Sequence, residues 1–349
     1  MAAAVLWLLV SGLPGTAPGG IMTCLVIVAP LIAATAADAH RTALVAGTTL
    51  ALTIAAGARH GHIQDPGSWT GLTAACAVGV LAVVLARMRR RGEERLAQMT
   101  AIAHAAQLAL LPPLPPQITG ISVAARYRSA TPGAWAGGDL YEIIPTRHGI
   151  RVIIGDVRGN GLEAIVLARH VLSAFRRIAV AVPALENVAG DISRAITPHL
   201  GEEDFVTAAL IQITPGGELT VVNCGHHPPL LHHGGRLRPL AGQTADPPLG
   251  LADDFTAFTA SWRSGDRLLL YTDGLVESRN HHGDFFPEGR IATALAAAAC
   301  DQALDALMAA VHRHTGGHGH DDMALLLLQY GGHPPGSANG HPGQVASRR

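Results

Sequence analysis

The stretch "GGDLYEIIPTRHGIRVIIGDVRGNGLEA", residues 137–164, carries two carboxylates at the margins of an apolar run. Asp139 and Asp156 each stand beside glycine, and the valine and isoleucine residues between them are typical of a buried strand. A sheet core gains nothing from a bare carboxylate, because removing an unpaired charge from water is costly. The two acids must therefore serve a purpose other than packing.

Composition divides the chain into unlike parts. Its 349 residues suffice for one domain of ordinary size and a further region. Only four side chains between Met1 and Ala86 are formally charged, which is not the pattern of a soluble domain. The net charge of −1 gives no indication of a basic nucleic-acid-binding face. Four cysteines without a CxxC pair argue against a disulfide framework or a zinc site.

The first part of the chain is expected to be an all-α transmembrane region over residues 1–90. Three apolar segments have about the length that a bilayer-spanning helix needs: 21–37, 42–58 and 69–86. Residues 1–10 form a marginal further span, and the alternative for the whole region is a buried helical bundle of a soluble protein. The arginine cluster at 87–91 follows the last span, so the rest of the chain should lie in the cytoplasm.

Residues 91–117 are expected to form a linker. Apolar residues spaced by three and four along 93–111 predict a helix with one apolar stripe, which could pair with a second copy of the chain. The proline run at 112–116 should end that helix. A helix that transmits a signal and a plain tether both fit this pattern. The glycine- and proline-rich tail, 331–349, is expected to be disordered.

Residues 118–330 predict an α+β domain. Short β-like runs alternate with helical stretches, and several runs, such as "RLLLY" and "ALLLL", are apolar without alternation. Strands of that kind are covered on both faces. We therefore expect sheets in the interior with helices outside.

The acids of this domain fall at predicted strand ends. Asp156 and Asp273 each follow an apolar run, Asp321 and Asp322 precede another, and Asp139 begins a fourth. Carboxylates that converge on one sheet edge repel each other unless cations lie among them, and all-oxygen sites favour Mg²⁺ or Mn²⁺. Spacing alone leaves a second interpretation equally open, in which these acids are separate turn formers and helix caps.

Seven segments together resemble the bacterial PP2C-type (PPM) serine/threonine phosphatases of the SpoIIE and RsbU kind. In chain order these segments are "LLPPLPPQITGISVAARYRSA", "GGDLYEI", "GDVRGNGLEAIVLA", "VNCGHHPPLL", "LGL", "GDRLLLYTDGLVESRN" and "DDMALLLLQ". The resemblance covers residues 108–330. It implies an αββα sandwich, in which two packed sheets lie between outer helices.

The resemblance also implies a centre of two Mn²⁺ or Mg²⁺ ions. Asp156 would bridge the ions, and the backbone carbonyl of Val157 would help hold one of them. Asp273 and Asp321 would bind one ion, and Asp139 would lie on the other side of the pair. These four aspartates are the expected catalytic residues.

Two further residues are secondary candidates. Asp322 is the second acid of its pair, whereas the first acid matches the family's ligand. Arg158 could touch a substrate phosphate, although a solvated loop arginine fits the sequence better. By the same resemblance His226 and His227 look structural, as part of a strand end and a proline turn.

The function expected from this resemblance is a membrane-anchored, metal-dependent protein serine/threonine phosphatase. Its substrate would be a phosphorylated regulatory protein of the anti-sigma-factor antagonist type, in a partner-switching pathway. The enzyme would sit in the cell membrane with several spans and a cytoplasmic phosphatase domain. The alternative is a membrane signalling protein whose PP2C-like domain binds a partner without turnover. A diguanylate cyclase, suggested by "GGD", is excluded because "LYE" follows.

Overall fold

The structure is a computed structural model that describes residues 19–59, 66–111, 113–129, 137–159, 161–243, 245–297, 299–317 and 321–331. The chain divides into two compact units, Met1–Met99 and Thr100–Arg349. The marginal span expected at 1–10 lies outside the described residues, as does all but the first residue of the expected disordered tail.

Three long helices account for the described part of the first unit and the start of the second: α1 (Gly19–Ala36), α2 (Ala39–Arg59) and α3 (Pro66–Leu110). The three segments expected to span a membrane are therefore helical, apart from residue 37. The linker helix expected at 93–111 is continuous with the third segment, and α3 ends at Leu110.

One helix in the described part of the chain, Leu72–Met99, is long and apolar enough to cross a membrane, with a mean hydropathy of 1.8. Helix α2 is less apolar because it contains Arg41 and four threonines. The hydroxyls of Thr48 and Thr53 donate to carbonyls of their own helix, at 3.0 and 2.9 Å.

The arginine cluster lies beside the turn between α1 and α2. The guanidinium of Arg89 donates to the carbonyl oxygens of Thr35, in the last turn of α1, and of Ala37, which directly follows α1. Arg90 forms an exposed ion pair with Asp38, 3.0 Å between Nη1 and Oδ1. The turn between α1 and α2 and the arginine cluster thus lie at the same end of this unit.

The second unit contains two antiparallel sheets. The described residues of this unit form eleven strands: β1 (Gln117–Ile118), β2 (Ile121–Arg128), β3 (Leu140–Thr146), β4 (Gly149–Val157), β5 (Val206–Ile213), β6 (Glu218–Cys224), β7 (Leu230–His233), β8 (Arg236–Pro239), β9 (Ala257–Ser261), β10 (Arg267–Tyr271) and β11 (Met323–Tyr330). The six-stranded sheet has the order β1-β2-β11-β10-β7-β8, and the five-stranded sheet has the order β3-β4-β5-β6-β9.

Helices cover the outer faces of both sheets. They are α4 (Gly161–Ala181), α5 (Leu185–Ile196), α6 (Asp273–Val276), α7 (Glu288–Leu295) and α8 (Cys300–His314), with a 3₁₀ turn at Thr197–His199. Helices α4 and α5 pack on the five-stranded sheet, and α7 and α8 pack on the six-stranded sheet. The expected αββα sandwich is confirmed.

The doubly covered strands explain the apolar runs of the sequence. Successive side chains of a strand point to opposite faces. Ile153 of β4 therefore packs against α4 and α5, whereas its neighbours Val152 and Ile154 pack between the sheets. In the same way Leu269 of β10 faces the outer helices and Leu268 faces the other sheet. Both faces need apolar side chains, so no alternation appears.

Each sheet contains one buried arginine that joins a strand to the end of a helix. Arg151 of β4 is fully buried, and its Nε donates to Gln212 on β5 at 2.8 Å while Nη1 donates to the Ala179 carbonyl near the end of α4 at 2.7 Å. Arg267 of β10 repeats the arrangement with Gln329 on β11 and with carbonyls at the end of α7. The last carbonyls of a helix have no donor within the helix, and the guanidinium groups of Arg151 and Arg267 donate hydrogen bonds to them.

We predict that Arg151→Met lowers the free energy of unfolding of the second unit by about 3 kcal/mol or more, because several buried acceptors lose their donor together. Urea-dependent hydrogen exchange at the amides of β4 measures this in the full chain. The matched control is Arg177→Met on the exposed face of α4, which should cost under about 0.5 kcal/mol. Equal losses in the two variants would contradict the structural role of Arg151.

Candidate active site

Antiparallel register brings the predicted acids together in two groups. The end of β4 lies beside the start of β3, since Gly155 pairs with Leu140, and this places Asp156 near Asp139. The end of β10 lies beside the start of β11, since Tyr271 pairs with Leu325. Asp273 follows β10, and Asp321 and Asp322 precede β11. Each sheet thus contributes one group of carboxylates: Asp139 and Asp156 from the five-stranded sheet, and Asp273, Asp321 and Asp322 from the six-stranded sheet.

A buried hydroxyl joins the two groups. The Thr272 Oγ1 donates to Asp139 Oδ2 at 2.9 Å and accepts a hydrogen bond from the Ala324 amide, also at 2.9 Å. Thr272 is fully buried, and Asp139 is only 3% exposed. Thr272, which follows β10 of the six-stranded sheet, therefore orients the carboxylate of Asp139, which precedes β3 of the five-stranded sheet.

The charges of the two groups of acids act on each other. Burial and, after it, the charges of Asp273, Asp321 and Asp322 together raise the pKa of Asp156 to about 8. Burial and the charge of Asp156 hold the pKa of Asp139 well above its usual range. Burial and the charge of Asp321 raise the pKa of Asp273 to about 6. Each of these carboxylates is therefore harder to ionise because the others lie near it.

The two acids of the "DD" pair have different surroundings. Asp322 is 3% exposed, and its carboxylate accepts hydrogen bonds from the Tyr127 hydroxyl at 2.7 Å, the Ser129 hydroxyl at 3.1 Å and the Gly137 amide at 2.5 Å. Asp321 is exposed, and its Oδ1 accepts a hydrogen bond from the Asp322 amide at 2.8 Å. Asp322 thus anchors the loop before β3, while Asp321 faces solvent.

The glycines of the motifs permit close approach of backbone segments. A Cβ on Gly137 would lie 2.4 Å from Asp322 Oδ2, and one on Gly138 would lie 2.6 Å from the carbonyl oxygen of Val157. A Cβ on Gly274 would lie 2.0 Å from the Asp322 carbonyl oxygen. The carbonyl of Val157, a predicted ion ligand, is therefore packed against the residue that precedes Asp139.

Three glycines of the motif around Asp156 have different roles. Gly159 and Gly161, which follow β4, have φ of +104° and +81°, a backbone conformation that favours glycine. Gly155 lies inside β4, and a Cβ there would lie 2.5 Å from the Thr207 carbonyl oxygen of the neighbouring strand. The requirement for glycine at this position comes from strand pairing.

A cleft of about 360 Å³ opens over Asp156 and Asp273. Its other lining residues are Arg158, Phe205, Thr207, Gly225, His226, His227, Pro228 and Glu277. Sequence reasoning assigned His226 and His227 a structural place and missed that they line the same cleft as the acids. The available signal was the pair of adjacent histidines that follows Gly225, directly after the end of β6.

Arg158 lines the cleft, and its guanidinium group contacts Glu203 and Phe205. Its Nη1 donates to the Glu203 carbonyl at 2.6 Å, Nη2 lies 3.2 Å from Glu203 Oε2, and the guanidinium carbon is 5.4 Å from the centre of the Phe205 ring. The side chain is 48% exposed, so the ion pair is weak. Arg158 is therefore held at the cleft and remains accessible from solvent.

In the described part of the chain, no group of three or more His, Cys, Asp or Glu side chains is arranged tightly enough to hold a metal ion. The described cysteines Cys76, Cys224 and Cys300 are free thiols.

Comparison with known proteins identifies relatives over the second unit. The family model described as stage II sporulation protein E (SpoIIE) matches residues 146–331, slightly more than half of the chain. The phosphoserine phosphatase RsbP of Bacillus subtilis (strain 168) is 29% identical over 150 residues, which is 40% of this chain and 36% of RsbP. The chain therefore spans little more than a third of that relative.

Solved structures agree with the fold. The RsbU and RsbW domains of a Mycobacterium tuberculosis protein share 25% identity and a TM-score of 0.51, covering 62% of this chain and 63% of that one. The SiaA-PP2C domain of Pseudomonas aeruginosa gives a TM-score of 0.55 at 19% identity, covering 70% of this chain and 98% of that domain. The second unit thus has the fold of PP2C domains.

We predict that, in the metal-free chain, wild-type stability falls relative to Asp156→Asn as the pH rises from about 6.5 to about 8.5. The pKa of Asp156 is about 8 in the folded chain and about 4 when unfolded, so in this window the folded state must give up a proton that the unfolded state has already lost. Thermal unfolding with a chelator measures the difference between the two proteins, in which histidine titration cancels. Parallel pH curves would contradict the raised pKa.

Proposed function

The chain belongs to the SpoIIE family, and we propose that it is a membrane-anchored, metal-dependent protein serine/threonine phosphatase. The proposal depends on one observation above all. Carboxylates from the ends of two sheets lie at one edge, where a cleft exposes Asp156 and Asp273, and their burial and mutual repulsion disfavour the ionised state that a bound cation would stabilise.

The donor set fits a pair of hard divalent ions. It consists of carboxylate oxygens and a backbone carbonyl, which Mg²⁺ and Mn²⁺ prefer over soft ligands. Asp156 would bridge two ions, Val157 would offer its carbonyl, Asp273 and Asp321 would hold one ion, and Asp139 would lie on the other side of the pair. When bound, such a pair supplies hydroxide near neutral pH and screens phosphoryl charge.

The cleft residues suggest how a phosphate group would be received. Arg158 contributes a permanent positive charge at the cleft, and its partner Glu203 is itself 83% exposed and weakly held. A dianionic phosphoryl group could replace Glu203 on the guanidinium, whose planar donors suit phosphate oxygens. Arg158 would therefore bind and orient the phosphoryl group rather than take part in proton transfer.

A phosphoprotein is the substrate class that we propose. The similar Bacillus subtilis protein is described as a phosphoserine phosphatase, and the cleft is open enough to admit a phosphorylated side chain from a protein surface. We propose phosphoserine or phosphothreonine on a regulatory protein of the anti-sigma-factor antagonist type, in a partner-switching pathway.

Membrane anchoring is supported by exposed apolar surface. Only 22% of the most apolar window of Leu72–Met99 is buried, whereas the core helix of a soluble protein is mostly buried. Large hydrophobic side chains are exposed along the helices of the first unit: Val28, Ile32, Leu44, Ile54, Trp69, Val80, Leu81, Val84, Leu85 and Met88. We propose that the three helices cross the membrane, with the arginine cluster and the phosphatase unit in the cytoplasm.

Pairing of two chains through α3 is part of the same proposal. Leu96, Met99 and Ile102 are 53%, 54% and 62% exposed, and their spacing places them on one helical face. A second copy of the chain would cover this stripe.

We predict that the purified chain hydrolyses a phosphoserine peptide only with added Mn²⁺ or Mg²⁺, and that Asp156→Asn lowers the rate at least a hundredfold. Loss of partners outside the direct ligand set already costs about 10- to 100-fold, so loss of a bridging ligand should cost more. The matched control is Asp305→Asn, an exposed acid that pairs with Arg126 away from the cleft. Steady-state release of phosphate measures all three proteins.

An inactive wild-type chain that still binds a phosphoprotein would instead favour the partner-binding module without turnover.

We predict that the full chain stays in the membrane pellet after extraction of cell membranes at alkaline pH, because its apolar helices can leave water only by entering lipid. Release by detergent is the control for aggregation. Recovery of the chain in the alkaline supernatant would overturn the anchoring proposal.

A further inference from the structure

The turn that follows β6 places the His226 side chain between the two sheets. Gly225 follows the strand with φ of +67°, and a Cβ there would lie 2.8 Å from Pro248, so only glycine makes this turn readily. The Asn223 side chain then holds the His226 backbone at both polar atoms: Oδ1 accepts from the amide at 2.8 Å, and Nδ2 donates to the carbonyl at 2.9 Å. The position of the imidazole is thereby fixed.

The imidazole uses both ring nitrogens. Nε2 lies 3.0 Å from the Tyr271 carbonyl oxygen, which can only accept, so Nε2 carries the hydrogen. Nδ1 lies 2.9 Å from Thr207 Oγ1 and accepts from that hydroxyl. Burial lowers the pKa of His226 to about 4, which agrees with a neutral ring that donates once and accepts once.

The two partners belong to different sheets and adjoin two of the acids. Thr207 on β5 pairs in register with Asp156 on β4. Tyr271 ends β10 in the six-stranded sheet, two residues before Asp273. The ring of His226 therefore spans the gap between the sheets at the edge from which these carboxylates project.

A directional link matters here because most of the sheet interface is apolar, and the Thr272–Asp139 hydrogen bond is another link of this kind. The side chains between the sheets, such as Val152, Ile211 and Leu268, pack through contacts that are not directional. Such packing fixes the layer spacing but resists small sliding of one sheet on the other only weakly. Hydrogen bonds at both ends of one ring resist that movement.

We propose that His226 is a positioning residue that fixes the separation of Asp156 and Asp273 and so sets the affinity of the site for divalent ions. The proposal rests on the proposed function, because it assumes that these carboxylates share ions. No part of it requires His226 to touch substrate. Its role is to hold two strand ends in register, as groups behind metal ligands commonly do.

The test uses two substitutions that each keep one of the two hydrogen bonds of the His226 ring, to Thr207 or to Tyr271; these two bonds are called the His226 bridge below. His226→Asn leaves an amide near the Nδ1 position, within reach of Thr207, and loses the donor to Tyr271. His226→Gln keeps a donor near the Nε2 position and loses the acceptor for Thr207. The matched control is His232→Asn, which alters another buried histidine, on β7 and outside the cleft lining.

Two measurements on the detergent-solubilised full chain distinguish the outcomes. Calorimetric titration with Mn²⁺ should show about 10- to 100-fold weaker binding for both His226 variants and unchanged binding for His232→Asn. Hydrogen exchange of the metal-free chain should show about tenfold faster exchange around residues 205–208 and 271–273 in the His226 variants only.

Faster exchange with unchanged Mn²⁺ affinity would overturn the positioning role, since the bridge would then serve stability alone. Unchanged hydrogen exchange in the His226 variants would show that the His226 bridge does not hold the two strand ends together. A wild-type chain that binds no Mn²⁺ would instead refute the proposed function, while the exchange data would still report on the bridge.

Discussion

The burial and mutual repulsion of carboxylates at one sheet edge form the constraint around which the second unit is organised. Asp139 and Asp156 start from one sheet, and Asp273 and the exposed Asp321 start from the other. Burial and the charges of neighbouring acids raise the pKa of each. Sequence positions far apart reach one edge because antiparallel pairing sets the end of one strand beside the start of the next. Neutral donors such as the Thr272 hydroxyl orient the acids without cancelling their charge, so the site retains a strong preference for added positive charge.

The surrounding structure makes this edge rigid at several levels. Motif glycines let the loop before β3 approach the backbone of Val157 and the side chain of Asp322 directly. Asp322 accepts a hydrogen bond from the Gly137 amide of this loop and is itself held by the hydroxyls of Tyr127 and Ser129. Deeper in the domain, Arg151 and its counterpart Arg267 tie each sheet to its own layer of helices. These contacts matter at a site that holds like charges together, because the carboxylates would move apart if the strand ends were free to move.

Much of this arrangement could be predicted from the sequence, for identifiable reasons. The αββα layering follows from runs such as "RLLLY" that are apolar at every position, and the acids stood out because each interrupts or borders such a run. The hairpin of β7 and β8 was not predicted, although the Gly-Gly pair in "LLHHGGRLRP" is a turn signal between two short strands. The place of His226 could not be predicted, because its partners come from two different sheets and no local pattern records a contact across a sandwich. The different surroundings of Asp321 and Asp322 likewise depend on which neighbour donates hydrogen bonds.

The most direct test of the account is anomalous diffraction at the manganese edge from crystals of the chain grown with Mn²⁺. The account predicts two anomalous peaks about 3.5 to 4 Å apart, with Asp156 between them and Asp273 and Asp321 beside one of them. Peaks bound elsewhere on the chain, or no peak among these carboxylates at saturating Mn²⁺, would contradict it.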